Sequence, residues 1–374
     1  MASAAGRSRL GAASRYLAVA VLLVVMITVV PGLLDSFRLN LLGKYLCYAL
    51  VALGLDLAWG YAGLLSLGQS VFFGLGAYAF GMYLKLESAH GKLPDFMGWS
   101  GLTALPGYWR PFADPLFALL IALVLPAAFA AAFAYLLSRS RVGGVYFAII
   151  TQALAFIATT LFVGQQPFTG GTNGLTDFAT IFGQPLKDPS VQVALYRATV
   201  IALAICCALG MWLARSRFGR LLVAMRDDEQ RLRFSGYNPA LLKAAVFGVA
   251  GGMAGLAGAL YVPQVGIVNP DALGIILGIN MVIWVAVGGR GTLWGAVLGA
   301  LVVNGAQSAI SEQFPDIWQY GIGLLFVLAV VYPGGLAGAV QSLQGKARRH
   351  TLAVAPPPSN LPEMEPRSVE VAQV

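Results

Sequence analysis

The sequence predicts an all-α, polytopic integral membrane protein with about ten transmembrane segments, on three observations. First, 58% of its 374 residues are hydrophobic and only 11% are charged, with a mean hydropathy of +0.75. Soluble domains of this length are not normally so apolar. Second, apolar runs of roughly 20 residues, enough to cross a hydrocarbon core, recur along the chain. Third, the polar residues gather between those runs. One dense charged island, Arg215 to Lys243, holds ten of the forty Lys, Arg, Asp and Glu residues.

Residues 1–16 form a tail carrying Arg7, Arg9 and Arg15. The first apolar run, 17–34, is long for the core of a signal peptide, and no clear small-x-small cleavage site follows it. It reads as an uncleaved span. Further spans are predicted at 42–60, 63–84, 115–137, 144–163, 196–214, 243–262, 274–288, 293–309 and 318–340. The run 63–84, GLLSLGQSVFFGLGAYAFGMYL, carries Ser66, Gln69, Ser70 and several glycines. Its first part is expected to be broken. Irregular backbone at membrane depth must face protein or a cavity, so this part is expected to face inward. Two long outer loops are expected, 87–114 and 164–196, the second containing FTGGTNGLTDF. A single membrane domain, 17–340, with a loop at 215–243, is followed by a tail, 341–374. From about Ala353 the tail is rich in Pro and acids without apolar periodicity, so it is expected to be disordered.

Charge sets the orientation. With the N-terminus in the cytoplasm, the inner segments hold 17 of the 24 Lys and Arg residues and the outer segments seven, as the positive-inside rule requires. An even number of spans returns the C-terminus to the cytoplasm. Topology thus accounts for the net charge of +8 without nucleic acid as a partner.

Several chemistries find no residues to carry them. No G-x-x-x-x-G-K-[ST] phosphate loop is present, so ATP hydrolysis would belong to another chain. Cys47, Cys206 and Cys207 lie in apolar runs without metal-ligand spacing, and His90 and His350 lie far apart. No catalytic residue, metal site or cofactor is expected.

Asp56 is the one acid well inside an expected span, where a carboxylate costs about 2.5–3.5 kcal/mol. It reads as a hydrogen-bonded group near a helix end, the other reading being a substrate or proton site. Ser66, Gln69, Gln152, Thr172 and Asn173 are uncharged amides and hydroxyls suited to passing a small neutral polar solute. Phe72 and Phe73 beside Gln69 are candidates for a gate. Mutual hydrogen bonding between helices is the plainer use of these polar groups. The pairs Gly251/Gly255, Gly295/Gly299 and Gly334/Gly338 have GxxxG spacing, which chance produces readily in glycine-rich spans. Gly288 to Thr292 reads as a tight inner turn with Arg290 as a topology anchor.

In the charged island, Phe218, Leu221, Leu222, Met225 and Leu232 form an apolar stripe, with Arg220, Arg226, Asp227 and Arg231 largely off it. This predicts a short amphipathic helix that lies on the bilayer or docks on a partner.

Four motifs carry a family resemblance across about 41–338: GLDLAWGYAGLLSLGQSVFFGLGAY (54–78), TGGTNGL (169–175), FGRLLVAMRDDEQRLRFSGYN (218–238) and VAVGGRGTLWGAVLGA (285–300). The chain resembles the permeases of branched-chain amino-acid ABC importers, and within them the urea-transport permeases. That resemblance implies a bacterial inner-membrane subunit working with a homologous second permease, two ATP-binding subunits and a periplasmic solute-binding protein. It implies that Gly219, Arg220, Ala224, Arg226, Asp227, Glu229 and Gly236 form the segment that docks on the ATPase. It implies urea as the solute, although many urea-type members carry His where this chain has Gln69. A branched-chain amino-acid or short-amide importer is the alternative. A passive urea channel would not need the charged island, and a proton-driven carrier would need more buried ionisable groups.

Overall fold

The computed structural model describes residues 20–140 and 142–313 and, beyond these, 320, 321, 323, 324, 327 and 334–338. The expected tails 1–16 and 341–374, and much of the expected span 318–340, lie outside the described residues.

The bundle is built from α1 (Ala20–Leu33), α2 (Ser36–Asp56), α3 (Gln69–Ser88), α4 (Pro115–Arg139), α5 (Val145–Gly164), α6 (Pro189–Arg215), α7 (Arg217–Asp227), α8 (Glu229–Phe234), α9 (Pro239–Val265), α10 (Ile275–Gly288) and α11 (Leu293–Gln313). Among the described residues six helices are long and apolar enough to cross a membrane: α2 with its extension, α4, α5, α6, α9 and α11. Helix α3 is a seventh long helix, and α1 and α10 are shorter apolar ones. The expected total of ten segments is therefore not reached within the described residues.

Three helix starts are set by one device. Asp114, Asp188 and Asn238 each precede a proline and accept a hydrogen bond from the backbone N–H two residues on, at 2.8, 2.8 and 3.0 Å. The side chain satisfies an orphan N–H, and proline at the first helical position lacks one. The caps start α6 at Pro189 and α9 at Pro239, ahead of the 196 and 243 expected from apolarity alone. Helix α2 likewise starts at Ser36 rather than 42, placing Lys44 two turns inside it.

Helices α2 and α9 form the centre, with α3 packed against α9. Helices α4, α5 and α6 form an outer ring whose outward faces are exposed apolar side chains. Small residues let the central helices meet closely. A Cβ on Gly255 would strike the Ala122 carbonyl, one on Gly251 would lie 2.5 Å from the Ala130 Cβ, and one on Gly258 would strike the Phe73 carbonyl. Gly295 and Gly299 lie against Gly288 where α10 meets α11. The first two GxxxG pairs thus mark helix crossings, correcting the chance reading. Of the third, a Cβ on Gly338 would meet nothing within 4 Å among the described residues.

Helix α2 continues into a π-helical turn, Leu57–Tyr61. From Ala62 to Gly68 the chain is not helical, and Ala62, Leu64, Ser66 and Gly68 are buried. This is the expected break, and its backbone runs between neighbouring helices, as the absence of water in lipid requires. The two long connections, 87–114 and 164–196, hold short helical turns and a two-stranded ribbon, Thr180–Ile181 with Gln184–Pro185, a small exception to an all-α fold.

Candidate functional site

Two regions gather the candidate residues, at the charged end of the bundle and within it.

The charged island folds as two helices rather than one. Asp228 leaves helical geometry and its carboxylate accepts from the Arg231 N–H at 3.0 Å, ending α7 and starting α8. Leu222, Met225 and Leu232 are buried, and Phe218 and Leu221 are half-buried. Arg220, Ala224 and Asp227, spaced four and three apart, form an exposed stripe on the opposite side of α7. Gly219 makes the corner with α6, since a Cβ there would strike the carbonyl of Ala214. Gly236 lies exposed at φ +85, a conformation suited to glycine.

Arg226 leaves this pattern and reaches back to the bundle. Its Nη1 donates to the Gly60 carbonyl at 2.7 Å, and its Nη2 lies 3.2 Å from an Asp227 carboxylate oxygen. Gly63 makes room for its stem, because a Cβ there would sit 2.9 Å from the Arg226 Cγ. Beside it, the Asp56 carboxylate accepts from the Gly291 N–H at 2.7 Å. Arg290 stands over the Trp59 ring at 5.3 Å. Asp56 thus ends α2 with one carboxylate oxygen hydrogen-bonded and the other buried without a partner among the described residues, and Arg290 packs on an aromatic ring.

Glu229 ties α8 to α9. It pairs with Lys243 and with Arg233, each at 2.7 Å. Partial burial pushes the Glu229 carboxyl up, but its hydrogen bonds and charge pairs with Lys243 and Arg233 outweigh that and hold it below the ordinary glutamate value.

Within the bundle, Gln69 donates to the Ala250 carbonyl at 3.0 Å, Ser70 to the Leu273 carbonyl at 3.0 Å, and Thr151 accepts from the Leu67 N–H at 3.1 Å. These bonds hold the break and the start of α3. The Ser66 Oγ and Gln69 Oε1 are buried without partners among the described residues. Phe72 is enclosed edge-on by Phe129 and Phe247, at 5.9 and 5.4 Å. Phe73 packs on Tyr48 and Tyr261 and lines a cavity of about 710 Å³. Thr159, Asn269, Asp271 and Asn280 are its polar lining.

The remaining candidates are spread out. Gln152 is half-buried on α5, and Thr172 and Asn173 are exposed. Their turn packs beside Pro270–Leu273 at the cavity's edge, where Leu175 and Val268 exchange backbone hydrogen bonds of 2.8 and 3.0 Å. Ser66, Gln69, Phe72 and Phe73 are therefore all buried along the break and the first turns of α3, and of the four Phe73 alone lines the cavity. Tyr48, Tyr261 and Asn280 escaped the sequence reading. Only Asn280, an amide in an apolar run, left a local signal.

A helical bundle with a broken inner segment, a largely apolar cavity carrying a few polar groups and an amphipathic helix joined to one end is an arrangement suited to a membrane permease. The family described as branched-chain amino acid transport system, permease component, matches residues 37–331, and the chain belongs to it. The chain is similar to the high-affinity branched-chain amino acid transport system permease protein LivM of Salmonella typhimurium, 26% identical over 330 residues covering 82% of this chain and 71% of that protein. It is similar to the corresponding permease BraD of Pseudomonas aeruginosa, 23% identical over 300 residues, 78% of this chain and 91% of that one. It is also similar to the permease LivH of Salmonella typhimurium, 27% identical over 153 residues, 40% of this chain and 48% of that one. No solved structure matches the chain.

Proposed function

We propose that the chain is the translocating subunit of an ATP-driven importer and that its solute is urea. The observation that carries the ATP-driven part is the bond from Arg226 to Gly60, because it joins the exposed helix α7 to the turn that opens the buried break. The stripe Arg220, Ala224 and Asp227 is the surface an ATP-binding subunit would meet, with Gly219, Glu229 and Gly236 setting the shape of the segment 215–243. Movement of α7 would pull Gly60 to Gly63 through Arg226. The break that follows carries Ser66 and leads into Gln69 at the start of α3, and their oxygens, unpartnered among the described residues, would then be offered to the solute. Buried polar atoms without partners call for such an explanation.

The solute would enter by the cavity lined by Phe73 and pass to Ser66 and Gln69, with Thr172 and Asn173 near the entrance. Among its described lining residues there is no cation, so a solute carboxylate finds no charge partner. The N–H and carbonyl groups of urea match Asn280, Asn269 and Thr159. The sequence motifs of the urea type support the same solute. No bond of the solute is made or broken.

The charge bias supports an orientation in a bacterial inner membrane with the α7 end and both termini on the cytoplasmic side. LivM and LivH of Salmonella typhimurium are named as permeases of a system with one name, which supports a homologous second permease. Two ATP-binding subunits and a periplasmic binding protein complete the assembly. The second reading is a branched-chain amino acid as solute, favoured by the names of the relatives. Uptake of radiolabelled urea at micromolar concentration, in cells with and without the chain and with an inactive ATPase, tests the proposal. Loss of uptake in both defective strains supports it. Loss of leucine uptake instead moves the solute to the amino-acid reading.

A further inference from the structure

Where α4 ends, α8 ends and α9 begins, two adjoining cavities of about 550 and 420 Å³ share Ser138 and Arg233 in their walls. Arg139 lines the larger and Lys243 the smaller. The Ser138 side chain is buried, and its Oγ has no hydrogen-bond partner among the described residues. Glu229 is the one acid in the two linings, and it engages Lys243 and one nitrogen of Arg233. That leaves the rest of the Arg233 guanidinium. No described carboxylate pairs with Arg139. The walls thus carry three cations against one anion, beside a buried hydroxyl with unused hydrogen-bonding capacity.

The helix ends that form the recess add a second property. Leu136, Phe234 and Leu241, each next in sequence to a lining residue (Tyr135, Arg233 and Ala240), are exposed, Phe234 to 92% and Leu136 to 63%. A cationic recess beside outward-facing apolar side chains fits an amphiphile with an anionic head better than a free ion. Basic pockets between helices at a cytoplasmic interface hold phosphate headgroups in this way.

We propose that this recess binds the phosphodiester of an acidic lipid, with Arg139 and Arg233 on the phosphate oxygens, the Ser138 hydroxyl donating to one of them, and the acyl chains along Leu136, Phe234 and Leu241. The site is separate from the solute path, and its test does not depend on which solute is carried.

The test is native mass spectrometry of the full chain with its partner subunits in detergent, titrated with dioleoylphosphatidylglycerol, with dioleoylphosphatidylcholine and, separately, with inorganic phosphate. The wild type is expected to retain the phosphatidylglycerol preferentially. Arg139→Gln, a change at an exposed helix end that leaves the core untouched, is expected to weaken that retention about fivefold, and Arg139→Gln with Arg233→Gln to erase the preference. Equal retention of both lipids, or a preference unchanged in Arg139→Gln, would overturn the proposal. So would binding of inorganic phosphate, sensitive to Arg139→Gln, without any lipid preference. If the preference existed only in the absence of the ATP-binding subunits, the recess would be a protein contact and the lipid assignment would fail. Should the double variant not assemble, Arg139→Gln alone decides.

Discussion

Arg226 donates a 2.7 Å hydrogen bond to the Gly60 carbonyl, across 166 residues of sequence. It is the polar link from the amphipathic helix α7 to the π-turn at the end of α2. Gly60 also lies beside Asp56 and Gly291, so one short turn gathers α2, α7 and the α10–α11 connection.

Arg226→Ala is expected to leave the bundle assembled and to lower ATP-dependent uptake about tenfold or more. A charge-assisted hydrogen bond is worth roughly 1.5–3 kcal/mol, and 1.4 kcal/mol is a factor of ten. Uptake rates beside the ATPase rates of the same preparations check this. Hydrolysis that continues while uptake falls would mark a loss of coupling. Unchanged uptake would remove Arg226 from the coupling route.

A Cβ on Gly60 would strike the Asp56 carboxylate and come within 2.5 Å of the Gly291 nitrogen. Gly60→Ala is therefore expected to destabilise the protein by about 1–3 kcal/mol, the usual cost of overpacking. Gly107, with nothing within 4 Å of a Cβ, is the control, and Gly107→Ala should be nearly neutral. Thermal unfolding of the two variants in detergent compares them.

The Ser66 hydroxyl is buried and unpartnered, so Ser66→Ala should not lower stability, because it removes an unsatisfied group. If Ser66 meets the solute, the same change lowers transport. A lowered melting temperature with unchanged uptake would give Ser66 a structural role instead.

Glu229→Gln is expected to loosen α8 from α9 at pH 7. Because the native carboxyl lies below the ordinary glutamate value, its contribution is fully present above the unfolded value of about 4.3. It fades as pH falls through the lower folded value. The stability gap between wild type and Glu229→Gln should thus be constant from pH 6 to 8 and close in acid. A gap that widens in acid would contradict this. Melting curves from pH 8 down to about pH 3, below the unfolded glutamate value, give the answer.

Much of the fold was legible because lipid imposes one simple rule, a long apolar run for each crossing. Helices α4, α5, α10 and α11 begin within a residue of their expected positions. The starts set by side-chain caps, Pro189 and Pro239, lie ahead of the positions expected from apolarity. The Asp188-Pro189 and Asn238-Pro239 pairs are the missed signals. The break at Ala62 to Gly68 was foreshadowed by its glycines and polar residues, and the apolar stripe of the charged island identified its buried face. The split at Asp228 was not seen, although an aspartate before Glu229 is a plausible cap. The cavity was less legible, since Tyr48, Phe73 and Tyr261 come from three helices and their meeting depends on how those helices cross. The Arg226 bond to Gly60 was hidden for the same reason.

The most direct test of the central claim is uptake by proteoliposomes holding the chain with its partner permease, ATP-binding subunits and binding protein. Radiolabelled urea is followed with and without ATP on the nucleotide-binding side, with leucine in parallel. The account predicts urea accumulation above the equilibrium level, only with ATP and only with an active ATPase. Urea equilibrating equally fast without ATP would make the chain a passive path and contradict the account. Accumulation of leucine alone would keep the ATP-driven permease and overturn urea as its solute.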